Sequence, residues 1–102
     1  MNLKDLQHLP GAEFILEGIE DLKRNEETEN SLLVAIGSTR LRAAGLEFPL
    51  QLTLNALPEH LLYRRLAQKY QNEAHSRYNS MIRRLVSFER ALELLKLQAI
   101  PQ

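Results

Sequence analysis

Two charges stand where a helical face is otherwise apolar. At 100° per residue, Arg40 falls within the face made by Leu33, Ile36 and Ala44, and Glu89 falls between Tyr78, Leu85 and Leu92. A guanidinium or carboxylate withdrawn from water alone is costly, so each must be paired or reach solvent. Two outcomes are open: both charges sit at the wet ends of their faces, or they meet as a buried polar pair or share a polar ligand. Arg40 and Glu89 are therefore the first candidate site.

A second candidate is a stripe of small hydroxyls and arginines. Ser76, Ser80, Arg83, Ser87 and Arg90 recur at spacings of four, three, four and three, with Arg77 and Arg84 flanking them. Guanidinium forks grip phosphate or carboxylate bidentately and a serine adds one further bond. Arg77, Arg83, Arg84 and Arg90 thus form a candidate face for phosphate or for an acidic partner. The competing expectation is a solvated face, or one covered by an acidic helix. Tyr70 and Tyr78 have rings that stack bases elsewhere, but here they belong to an apolar stripe and read as core.

Catalytic and cofactor chemistry is not announced. Gly11, Gly18, Gly37 and Gly45 make neither a dinucleotide fingerprint nor a phosphate-binding loop. No G-x-S-x-G elbow occurs. His8, His60 and His75 are scattered, without zinc-motif spacing, and there is no cysteine. No catalytic residue, cofactor or metal is expected.

These side chains must be held by the surrounding elements, and the pattern calls for one all-α domain over residues 1–102. Apolar residues make up 44% and charged residues 25%, which suits a soluble globular chain. The opening MNLKDLQHLP carries charges and lacks an apolar core, and LLVAI is the longest apolar run. Neither a secretory signal nor a membrane span is expected, so the expected location is cytoplasmic.

After an N-terminal segment (1–9), a helical hairpin is expected over 10–45. Its first helix begins near Pro10, buries Phe14, Ile15, Gly18, Ile19 and Leu22, and ends around Arg24 or Asn25. Its second is capped by Thr28 or Asn30 and runs in phase through Gly37 to a stop at Gly45. Continuity of the apolar face through Gly37 argues against a helix-turn-helix there. Gly18 and Gly37 lie in apolar faces, which suggests close helix approach within the hairpin. Residues 58–97 contain neither glycine nor proline after Pro58, yet the apolar stripe changes phase near Asn72. Two helices, 58–71 and 73–97, or one kinked helix, follow from that shift. Residues 98–102 form a tail.

Between these pairs, over 46–55, Leu46, Phe48, Leu50, Leu52 and Leu54 alternate strictly with polar residues or proline. Period two marks extended chain with one face covered. It is read as a connector (46–57) laid on the bundle, or as an edge pairing with a second copy. Pro49 has no N–H, so pairing is limited to one edge.

Charge is divided along the chain. Residues 1–57 hold nine acids against five bases, a balance of −4, and residues 58–102 hold eight bases against four acids, a balance of +4. Mutual neutralisation is one consequence, and a basic surface for an acidic partner is the other.

The function expected from these features is a non-catalytic protein–protein interaction module, an adaptor or regulator acting as a homodimer. Its contacts are drawn from Phe48, Leu50, Leu52, Leu54, Met81, Leu85, Phe88 and Leu92. The alternative is a small nucleic-acid-binding regulator using the arginines of the last helix. The third is a ligand-binding or enzymatic site around Arg40 and Glu89.

Overall fold

The first two long helices start differently, one at a backbone turn and one at a side-chain cap. The computed structural model describes residues 3–98, so the tail expected at 98–102 lies outside them beyond Gln98. A short 3₁₀ turn, Leu3–Leu6, buries Leu6 and leads to Gly11 at φ 80 and then α1, Ala12–Lys23. Asn25, at φ 57, turns the chain out of α1; asparagine is among the residues best suited to that left-handed conformation. Helix α2, Glu29–Ile36, is capped by Thr28. Thr28 Oγ1 accepts from the Ser31 amide at 3.0 Å, and Ser31 Oγ accepts from the Thr28 amide at 2.7 Å. This reciprocal box satisfies two otherwise orphaned donors.

The second predicted helix is interrupted, which corrects the expectation of one continuous run to Gly45. Gly37 separates α2 from α3, Ser38–Ala43. The bonds from Gly37 N to Leu33 O (3.2 Å) and from Leu41 N to Gly37 O (2.9 Å) carry helical pairing across the break. The in-phase apolar face therefore survived while the helix did not. The nearest neighbours of Gly37 are on the last helix rather than on α1. A Cβ there would lie 2.7 Å from Leu85 Cδ1 and 2.9 Å from Glu89 Oε2, so its close approach is to the last helix. Gly18 does face α2, against Asn30 and Val34.

Gly45, at φ 105, ends the helical run, and residues 46–57 proceed without helix or strand. Leu46 and Phe48 are buried, Leu52 and Leu54 are half-buried against the core, and Glu47, Gln51, Thr53 and Asn55 are exposed. Helix α4, Pro58–Tyr70, starts with proline in its first turn, where no amide is missed. Gln71 at φ 52 and a 3₁₀ turn, Gln71–Glu73, then break the glycine-free stretch. Helix α5, Ala74–Gln98, follows; its 25 residues span about 38 Å of a molecule 49 Å long.

The architecture is all-α, with no β-strand among the described residues. One core joins Ile15 and Ile19 of α1, Leu32 and Leu33 of α2, Leu62 and Leu66 of α4, and Leu85, Phe88 and Leu92 of α5. No helix of the described residues is long and apolar enough to cross a membrane. The acidic and basic halves meet at Arg65–Glu27 (3.2 Å) and Lys69–Glu29 (3.6 Å), both joining the α1–α2 region to α4.

Candidate functional site

Arg40 of α3 and Glu89 of α5 come together at the Gly37 break. Arg40 Nη1 donates to Glu89 Oε1 at 3.2 Å. The stronger partner is one that the sequence reading missed. Glu93, one turn further along α5, accepts from Arg40 Nε and Nη2 at 2.8 Å each, a bidentate fork. Glu93 falls outside the apolar seam, so the test that singled out Glu89 could not select it; its i+4 spacing from Glu89 was the available signal.

The three charges differ in exposure. The Glu89 side chain is 6% exposed, against 42% for Arg40 and 39% for Glu93. Arg40 thus reaches across from water, and the idea of a pair buried on both sides is corrected to a buried carboxylate held by a half-exposed guanidinium. Burial pushes the Glu89 carboxyl above its ordinary value, Arg40 pulls it down, and Glu93 adds a push upward. The hydrogen bonds from Arg40 hold Glu93 below the usual carboxylate range. The Glu93 bonds chiefly raise Arg40 in turn. Chemically this is a clamp between α3 and α5, with its donors directed at two carboxylates. Lys96 reinforces it by donating to the Ala43 carbonyl at the end of α3, at 2.5 Å.

The arginine face of α5 divides in two. All four arginines are exposed, and among the described residues Arg83 and Arg90 have neither an ion pair nor a ring contact. Arg77 and Arg84 bend over aromatic rings: the Arg77 guanidinium lies 3.7 Å from the centroid of Tyr70, and that of Arg84 lies 4.9 Å from Phe14. Arg84 also donates to Ser80, while Ser76 caps the Glu73 carbonyl at 3.0 Å. Phe14 and Tyr70 thereby become part of a polar cleft rather than buried core alone. The cleft has a volume of about 540 Å³ and lies between α1, the start of α2, α4 and α5. Periodicity assigned both rings to apolar faces and could not report which cations lay over them.

The candidate oligomer contacts also divide. Met81, Leu85, Phe88 and Leu92 are buried inside this single chain, packed on the core, so the seam of α5 is not available to a second copy. The reason is length: α5 is covered along this seam by α1, α2 and α4, none of which the heptad count could place. Phe48 is likewise buried, held by Arg42, which donates to its carbonyl at 3.1 Å and stacks 5.0 Å from its ring centroid. Leu52 and Leu54 are half-buried; Leu50 is exposed.

His8, His60 and His75 are exposed and apart; His75 Nε2 lies 3.2 Å from Asn79 Nδ2. No cluster of potential metal ligands occurs among the described residues. Comparison with family models, characterised proteins and solved structures finds no match for the chain.

Proposed function

We propose that the chain is a non-catalytic interaction module that self-associates through its extended segment. The observation carrying this reading is the backbone from Glu47 to Ala56. Among the described residues it makes no backbone–backbone hydrogen bond, and its one bond to a side chain is from Arg42 to the Phe48 carbonyl. Extended chain with free amides on a packed support is a template for another strand.

Chemistry selects the edge and the partner. In extended chain, successive residues point their N–H and C=O to opposite edges. Pro49 leaves a gap on the edge shared with Glu47, Gln51, Thr53 and Asn55. Phe48, Leu50, Leu52, Leu54 and Ala56 line the other edge with no proline among them, and Arg42 occupies that edge only at the Phe48 carbonyl. A second copy running antiparallel about Leu52 would set Leu50 opposite Leu54, apolar against apolar, with Glu47 opposite Leu57 and so no like charges facing each other. Leu50, 39% exposed, and Leu57, 58% exposed, supply further apolar surface beside the segment.

Proline substitution tests one edge against the other. Leu50→Pro removes an amide from the pairing edge, whereas Gln51→Pro removes one from the opposite edge; neither amide bonds to the backbone of the folded chain. In sedimentation at high micromolar concentration, wild type and Gln51→Pro should exceed the 11.8 kDa of one chain, and Leu50→Pro should not. A wild-type mass of 11.8 kDa, or equal dissociation by both prolines, would overturn the reading.

A second reading, nucleic-acid binding, is supported only by Arg83 and Arg90, exposed one heptad apart on α5. Backbone phosphate binding would weaken steeply with salt and fall on Arg83→Ala with Arg90→Ala for DNA and RNA alike.

A further inference from the structure

The cleft between α1, α4 and α5 contains charges of both signs, and most of them are already engaged. Asp21 accepts from Arg24 Nη2 at 2.5 Å and from Thr28 Oγ1 at 2.6 Å. Glu29 faces Lys69 at 3.6 Å. Arg77 lies on Tyr70 and reaches Glu73 at 3.5 Å. Two charges of the lining are left without an ion-pair partner among the described residues: Glu17 on α1 and Arg84 on α5. They border the same space and do not pair with each other.

Arg84 is prepared to hold an oxyanion. Its guanidinium rests on the Phe14 ring and donates to Ser80, contacts that limit its rotamers before any ligand arrives. A guanidinium has five N–H donors, so one bond to Ser80 leaves most of its fork free. Arg77, Ser80, Met81 and Arg84 fall at i, i+3, i+4 and i+7, so α5 turns all of them towards the cleft. The Glu17 carboxylate calls for the complementary group, an ammonium. A volume of about 540 Å³ lies within the roughly 300–1,000 Å³ of small-ligand sites.

We propose that this cleft binds a small amphoteric molecule, its phosphate or carboxylate on Arg84 and its ammonium group facing Glu17. Opposite charges at the two walls favour a ligand with two charged ends over a simple polyanion, which the Glu17 wall would repel. The site is separate from the extended segment, so ligand binding and self-association are independently measurable.

The test is an NMR titration of the full chain with four probes. Phosphoethanolamine and 4-aminobutyrate carry both groups and distinguish a phosphate from a carboxylate; inorganic phosphate and ethanolamine carry one group each. At least one two-ended probe should saturate, with shifts at the amides around Glu17 and Arg84, and should bind more tightly than either one-ended probe. Glu17→Gln, at an exposed position, should cost that probe about tenfold in affinity and leave inorganic phosphate unweakened, while Arg84→Gln should weaken both by about tenfold or more. Arg84→Lys, which keeps the charge without the fork, should fall between wild type and Arg84→Gln. The proposal fails if no two-ended probe saturates at millimolar concentration, if inorganic phosphate binds as tightly as they do, or if Glu17→Gln leaves their affinity unchanged.

Discussion

Gly18→Ala should destabilise the fold, although alanine is the better helix former. In the interior of a helix the exchange is worth about 1 kcal/mol in alanine's favour. Against that, the new Cβ would lie 2.7 Å from both the Asn30 carbonyl carbon and Val34 Cγ2, and closer still to the Asn30 oxygen. Ordinary contact begins near 3.4 Å, so relieving the 2.7 Å contacts alone would part α1 and α2 by about 0.7 Å, and the Asn30 oxygen demands more. The obstruction is largely backbone, which no rotamer change relieves. Overpacking of this kind costs about 1–3 kcal/mol, and a backbone clash belongs at the upper end. Setting roughly 3 against 1 leaves a net loss of about 2 kcal/mol. In urea, with a slope of about 1–2 kcal/mol/M for a small domain, the midpoint should fall by roughly 1–2 M. On heating, the loss corresponds to a Tm lower by roughly 8–16 °C. A midpoint equal to wild type or above it would refute the reasoning, because helix propensity would then outweigh the close approach.

Thr28→Ala removes the N-cap of α2 and one of the two partners of the buried Asp21 carboxylate, so a loss of about 1–2 kcal/mol is expected from urea melts, with Thr28→Ser retaining most of the stability. Glu89 titrates above its ordinary value in the folded state, so the fold binds its proton more tightly than the unfolded chain does; its contribution is lost as pH rises through the folded value. Glu93 is held low, so its contribution is present at neutral pH and is lost as pH falls through its folded value. Wild type should therefore lose stability relative to Glu89→Gln as pH rises from just above the usual carboxylate range. Relative to Glu93→Gln it should lose stability as pH falls below that range. A pH-independent difference in either comparison would contradict the assignment. In double-mutant cycles, coupling of Arg40 to Glu93 should exceed its coupling to Glu89, because two 2.8 Å bonds are set against one of 3.2 Å.

The sequence was most legible where local rules governed. The Thr28 cap, the break after Tyr70, the glycine at the α1–α2 contact and the alternation from Leu46 to Leu54 all follow from spacing or residue type. Gly37 shows the limit. Periodicity records which residues share a face, and that face is continuous through the break; the interruption falls at Gly37, where the Leu85 and Glu89 side chains of α5 fill the space a Cβ would need. The clamp was half legible for the same reason. A charge on an apolar face stands out, whereas Glu93, at the margin of the face, is identified only by the distance to Arg40. The cleft was least legible, because stacking of Arg84 on Phe14 joins helices separated by most of the chain.

The connector's unpaired amides also give it a distinctive exchange behaviour. Helical amides exchange with solvent only when a hydrogen bond opens, but those from Glu47 to Ala56 have no backbone bond to open. In deuterated water the single chain should show a fast-exchanging stretch between two protected helical regions. Pairing along one edge would slow Leu50, Leu52 and Leu54 and leave Gln51, Thr53 and Asn55 fast. A protection pattern with a period of two would thus report the registration of two chains residue by residue, at concentrations where mass alone gives only their number.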